Sequence, residues 1–193
     1  MYLKIKRLID IVLSIFLLFM LLPFFIIISM ILMFMGMNPI YKQKRSGKNN
    51  KEFIIYKFRT IDKNKNIPSF CAFLRTTGID ELLQLFNILK GDMSFIGPRP
   101  WLTEYSKHFN KEQLKRLNVL PGLTGLAQIH EHKNIFDKIE KDLEYVDNIS
   151  FKLDLFIFFN TIKMIITGKK KSFTPDDINQ EIMMLTEQSY SEI

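Results

Sequence analysis

Cysteine is nearly absent. Cys71 is the only one in 193 residues, which excludes an internal disulfide and fits a reducing compartment. Histidine is scarce as well: there are three, and His130 and His132, flanking Glu131, have no further partner at a zinc-binding spacing. Acid falls short of base, 20 Asp and Glu against 27 Lys and Arg, for a net charge of +7 and a pI near 9.4. That balance points to an anionic partner: lipid headgroups, nucleotides or nucleic acid. Internal repeats are missing too. Hydrophobic residues make up 47%, with 18 Phe and 10 Met, rich for a soluble domain and too few for a multi-span membrane protein. The length favours one compact domain with an appendage.

The most telling absence is of charge. From Ile11 to Met37 there is none, a run longer than the ~20 residues needed to cross a bilayer as a helix. Lys4, Lys6 and Arg7 form a basic start, as in a signal peptide, but the run is too long and no small-x-small cleavage site follows it. A spanning helix keeps its positive charge on the cytoplasmic side. Here both flanks are basic, with Lys42, Lys44, Arg45, Lys48 and Lys51 on the far side, and Pro23 falls near the middle. The expectation is a re-entrant helix, kinked at Pro23, that enters and leaves by one membrane face. A plain spanning anchor with a proline kink is the alternative.

Tyr41–Ser46 and Phe53–Ile61 read as strands of a small hairpin around the polar turn 47–51. In the second, Lys57 and Arg59 share a face by the period of two, as a phosphate-binding pair or as an ordinary solvated face. Residues 62–69 are polar and read as a loop, and Cys71 sits in a core context.

The stretch from Phe73 to Pro100 organises the rest. Thr77, three residues before Asp80, gives a capping pattern, and Ile79, Leu82, Leu83, Phe86 and Leu89 give an apolar helical face that Gly91 ends. Asp80 and Glu81 then share the first turn, where backbone N–H groups favour negative charge. They are either simple helix caps or a site. Arg75 before them and Arg99 in a stiff Gly97-Pro98-Arg99-Pro100 loop make a site for metal and phosphate together.

Beyond it, residues 103–119 read as one or two surface helices, Trp101 as an interface anchor, and 120–128 as a loop punctuated by Pro and Gly. Residues 134–148 read as a charged helix. Residues 149–167, apolar with Lys152, Asp154, Asn160 and Lys163 interspersed, read as an amphipathic helix on a bilayer or packed into the core. Lys169–Lys171 add a basic cluster. The expected division is a membrane-anchoring helix over 1–38, a catalytic domain over 39–172 and a loosely held tail over 173–193.

Several short motifs come in a fixed order. They are Lys6-Arg7-x-x-Asp10, Tyr56-Lys57-Phe58-Arg59-Thr60, Leu74-Arg75, Asp80-Glu81, Gly91-Asp92-Met93-Ser94, Gly97-Pro98-Arg99-Pro100, Pro121 to Gln128, and Leu153-Asp154-Leu155. Together, to about Thr167, they resemble the small bacterial monotopic phosphoglycosyl transferases. The resemblance implies a mostly helical α+β fold with a re-entrant helix, a small β-hairpin, interfacial amphipathic helices and a compact catalytic domain facing the cytoplasm at the bacterial inner membrane. It implies transfer of a sugar-1-phosphate from a UDP-sugar to a polyprenol (undecaprenyl) phosphate, with UMP released and a phosphosugar carried on the enzyme.

Carried over by position, the resemblance makes Asp80 the nucleophile and the Mg2+ ligand, and Glu81 its aid in proton transfer or metal positioning. Lys57, Arg59, Arg75 and Arg99 would hold the donor, with Pro100, Gln128 and Asp142 also in the binding set. Partners are then UDP-sugar, polyprenol phosphate and membrane lipids, and not nucleic acid. A non-catalytic membrane-anchored scaffold is the competing class. The sequence departs from the family at Leu22, where a serine precedes the proline, and at Ile129–Asn134, where His132 or Lys133 replaces an arginine.

Overall fold

The computed structural model describes residues 2–132, 134–167 and 183–185. They form a mostly helical α+β structure with two two-stranded sheets. Two compact units emerge: Met1–Gln43 with Ile54–Met93, and Lys44–Phe53 with Ser94–Ile193. The hairpin of β1 (Ile40–Ser46) and β2 (Glu52–Phe58) is cut by this division, its tip belonging with the second unit.

In the first unit, α1 (Tyr2–Phe34) is one helix with Pro23 inside it. At 33 residues it is about 50 Å long, against ~30 Å for a hydrocarbon core. Its buried residues are Asp10, Ser14, Phe25 and Leu32, whereas the middle is exposed and apolar, with Phe16, Phe19, Met20, Leu22 and Phe24 outward. Near the start, Arg7 donates to the carbonyls of Ile88 (2.6 Å) and Leu89 (2.9 Å), the last turn of α3 (Leu85–Lys90). A guanidinium there satisfies orphan carbonyls at the negative end of the helix dipole. Past Pro23, the ring of Phe25 packs edge-on against Phe58 of β2 at 5.8 Å. The exposed middle of the helix is thus flanked by two contacts to the same unit.

The expected central helix is instead three pieces. Helix α2 (Ser69–Thr77) ends at Gly78, whose φ of 75° only glycine adopts easily, and a 3₁₀ helix (Ile79–Gln84) leads into α3. Thr77 therefore does not cap Asp80; its hydroxyl donates back to the Phe73 carbonyl at 2.8 Å. Gly91, with φ of 95°, ends α3 as its sequence position predicts. Asn87, fully buried, docks α3 on β2: its amide donates to the Ile54 carbonyl (2.6 Å) and accepts from the Tyr56 N–H (3.1 Å), as a neighbouring strand would. Cys71 is buried as expected, and that burial pushes its thiol pKa up.

The second unit contains a sheet the sequence reading did not anticipate. The short strands β3 (Ser94–Ile96) and β4 (Gly122–Thr124) pair in parallel, Ser94 opposite Gly122 and Ile96 opposite Thr124. Close backbone approach explains the glycines: a Cβ on Gly122 would fall on the Gly97 amide nitrogen, and one on Gly125 on the Gly97 carbonyl. Their role is main-chain contact within the protein.

Two small helices, α4 (Thr103–Ser106) and a 3₁₀ helix (Gln113–Asn118), stand where surface helices were expected. After α5 (Leu126–Ile129), α6 (Ile135–Asp147) is capped by Asn134, whose side chain accepts from Asp137 N–H. Ser150 caps α7 (Phe151–Ile166) in the same way.

In α7 the buried residues are Asp154 and Ile157, and the Thr161 hydroxyl lies 2.8 Å from that of Thr124. Phe151, Phe156, Phe159, Ile162 and Ile166 face outward. This is the reverse of a water-facing amphipathic helix, and it suits an apolar surrounding. Trp101 is no interface anchor: it packs edge-on with Tyr105 and lies 4.3 Å from the Arg116 guanidinium. Of the expected tail, Leu185 is buried beside Tyr105, Phe109, Ile135 and Ile139. The Lys169–Lys171 cluster and Lys133 lie outside the described residues.

Candidate active site

In the first unit, Asp80 and Glu81 open the 3₁₀ helix, and Asp80 is only 9% exposed. Lys57 of β2 reaches Glu81, Nζ to Oε1 at 2.9 Å, in a mostly buried ion pair. The pairing follows from the Asn87 dock, which fixes β2 against the segment that carries the acids. Sequence periodicity offered no sign of that link, because Asn87 lies within an apolar run.

Lys57 and Arg59 are engaged by different partners in this structure. Strand β2 ends at Phe58, so the period of two stops there. The Arg59 backbone N–H bonds the Pro39 carbonyl at 2.8 Å, its Nε donates to the Asn38 carbonyl at 3.1 Å, and its guanidinium lies 5.6 Å from the Tyr41 ring. Arg75, half-buried in the last turn of α2, enters no ion pair with the described residues. A cleft lined by Ile40, Tyr56, Leu83, Phe86 and Lys90 adjoins the acid-bearing segment.

In the second unit, the Gly97–Trp101 loop is held at every carbonyl from 98 to 101. Pro98 O accepts from Gly122 N–H (2.9 Å), Arg99 O from Arg116 Nη2 (2.8 Å), Pro100 O from Arg45 Nη1 (3.3 Å) and Trp101 O from Ser46 N–H (3.0 Å). Arg99 thus sits on a rigid loop, with Pro100 buried beside it. Gln128 has both side-chain polar atoms buried, and neither makes a hydrogen bond among the described residues.

Asp142 is 1% exposed, and its Oδ2 receives Nε (3.1 Å) and Nη2 (2.6 Å) of Arg116. Burial pushes its carboxyl pKa up, while Arg116, His132 and Arg99 pull it back. His130 and His132 turn onto the carbonyls of Leu126 and Ala127. Sequence reasoning missed Arg116 entirely, since one arginine in a polar segment carries no distinguishing pattern.

For a divalent cation, no group of three or more His, Cys, Asp or Glu side chains gathers among the described residues. What is present, one or two adjacent carboxylates, fits Mg2+ as it is commonly bound, with substrate phosphates and water completing the shell.

An exposed apolar helix and a buried carboxylate next to a Lys57–Glu81 ion pair, in a helical α+β structure, suit an enzyme that works at a membrane. The chain belongs to the bacterial sugar transferase family, whose model matches residues 1–168. It is 36% identical over 178 residues to EpsL of Bacillus subtilis (strain 168), described as an uncharacterized sugar transferase, covering 85% of this chain and 88% of EpsL. It is 35% identical over 189 residues to an Aeromonas hydrophila protein named UDP-N-acetylgalactosamine-undecaprenyl-phosphate N-acetylgalactosaminephosphotransferase, covering 86% of this chain and 45% of that one. A Klebsiella pneumoniae protein named UDP-glucose:undecaprenyl-phosphate glucose-1-phosphate transferase is 34% identical over 181 residues, covering 81% and 39%. The chain therefore spans most of EpsL but under half of these two relatives whose names state a reaction.

Proposed function

We propose that this protein transfers a sugar-1-phosphate from a UDP-sugar to a polyprenol phosphate at the cytoplasmic face of the bacterial inner membrane, releasing UMP. The observation that carries this reading is the buried Asp80 beside the Lys57–Glu81 ion pair, in a family with relatives named for undecaprenyl-phosphate transfer.

In the first step a carboxylate oxygen of Asp80 attacks the β-phosphorus. The bond to the bridging oxygen breaks, UMP leaves with that oxygen, and the phosphosugar is held as an acyl phosphate. In the second step a phosphate oxygen of the polyprenol attacks the same phosphorus, freeing Asp80 and forming the diphosphate-linked sugar. Lys57 fixes Glu81 beside the nucleophile. Arg75 and Arg99 supply positive charge for the phosphates, and the orphaned amide of Gln128 is a donor and acceptor for the sugar nucleotide. Mg2+, held by Asp80 with Glu81 nearby, would neutralise charge on the diphosphate. Asn-for-Asp, Ala-for-Arg and chelation address these roles separately.

The membrane arrangement follows from α1. Arg7 bonds α3 and Phe25 packs on β2, so α1 touches the same unit on both sides of its exposed stretch. This supports re-entry over spanning, with the exposed stretch around Phe19 in the bilayer and Pro23, which removes a donor to the Phe19 carbonyl, at the bend. Leu3→Cys and Asn38→Cys should react with an impermeant thiol reagent from the cytoplasmic side only. Labelling of the two from opposite sides would mean a spanning helix.

The relatives' names carry different sugars, so membership alone does not name the donor. With Mg2+ and undecaprenyl phosphate, a panel including UDP-glucose and UDP-N-acetylgalactosamine should yield UMP from at least one. UDP as the product would mean ordinary glycosyl transfer and end this reading.

A further inference from the structure

We propose that Arg116 is a positioning residue that orients the Arg99 loop, and that Asp142 is its counter-ion and not a ligand of the substrate. The proposal rests on the reading of Arg99 as a phosphate-binding cation, and it adds the residue through which Arg99 is held.

The Arg116 side chain is buried to about the same degree as the hydrophobic core, at 2% exposure. A charge so placed carries a desolvation cost that its pairing with Asp142 only offsets; well-packed apolar residues at such sites are often as stable or more so. Stability alone therefore does not account for it. Its geometry does. Nε and Nη2 converge on Asp142 Oδ2, which fixes the guanidinium plane, and the Trp101 ring lies 4.3 Å away. With the plane fixed, Nη2 also donates to the Arg99 carbonyl at 2.8 Å.

Arg99 lies between Pro98 and Pro100. The prolines' own φ angles are locked, and the residue before Pro100 is restricted to extended conformations. Little torsional freedom is left in the loop, and holding the Arg99 carbonyl removes the freedom of its peptide plane. The direction of the Arg99 Cα–Cβ bond, from which its side chain departs, is then set. Asp142, with Oδ2 taken by Arg116 and almost no exposure, acts from behind.

The test uses the full-length protein in nanodiscs. Arg116→Met strands a buried carboxylate and can fail to fold, so the informative variant is Arg116→Met with Asp142→Leu, which removes both charges. KM for the UDP-sugar should rise about tenfold, with kcat little changed, and the rise should disappear in an Arg99→Ala background because both changes act through one side chain. Amide hydrogen exchange at Arg99 and Trp101 should also speed up by about tenfold.

A folded double variant with unchanged KM and unchanged exchange would overturn the proposal. So would effects that multiply with Arg99→Ala, or an Arg99→Ala variant whose own KM is normal. If the wild-type protein releases no UMP from any donor, the functional reading fails by itself, and the exchange rates still decide whether Arg116 holds the loop.

Discussion

Asp80→Asn should abolish UMP release while leaving the protein folded and membrane-bound. The amide is isosteric with the carboxylate, so a side chain that is 9% exposed keeps its packing. What it loses is the anionic oxygen that, in the proposed mechanism, would form the acyl phosphate, and a neutral amide is a very poor substitute. The expected loss is at least about three orders of magnitude in rate, or ~4 kcal/mol of transition-state stabilisation. Glu81→Gln should cost less, because it removes a neighbour of the nucleophile and not the nucleophile itself. The check is UMP release by both variants alongside a thermal melt. An Asp80→Asn protein with wild-type turnover would remove the covalent route and leave a single displacement or a scaffold.

The second large effect concerns folding. Gly122→Ala should destabilise the protein by several kcal/mol, on the order of 3 or more, because the added methyl meets main chain and not a side chain that can rotate away. Gly97 and Gly122 sit where β3 and β4 exchange backbone bonds, and the Pro98 carbonyl depends on the Gly122 N–H. Gly36→Ala is the control: no atom lies within 4 Å of its built Cβ, leaving only the strain of a φ of 73°. Chemical denaturation of both variants would separate these costs. A Gly122→Ala protein as stable as Gly36→Ala would show that the strand pair tolerates separation and that the glycines serve another end.

The elements with strong local signals were legible in the chain. The charge-free run over 11–37 announced α1, because no soluble packing needs so long an apolar stretch. Segments 134–148 and 149–167 read as the helices that became α6 and α7, and Gly91 marked the end of α3. The order of short motifs was enough to place the chain in its family, and so to single out Asp80 and Glu81. These are properties of sequence neighbours, which local hydrogen bonding and hydrophobic period determine directly.

What sequence could not decide was how competing local signals resolve and which distant groups meet. The Thr77 capping signal was overridden when Gly78 closed α2 one residue later, so a local pattern lost to a stronger local stop. Lys57 and Arg59 looked equivalent until the end of β2 sent one to Glu81 and the other to the Asn38 carbonyl. The glycines of 122–125 read only as loop punctuation, and a partner strand 28 positions upstream, Ser94 against Gly122, gave them their purpose. Asp142 is buried in an ion pair with Arg116, a residue with no signature at all in the sequence. The sequence by itself thus determined the long apolar helix, several helix limits and the family. The tertiary structure decided which cation faces which acid and which carbonyl each arginine holds, because those partners are chosen by burial and by backbone groups that lie far apart along the chain.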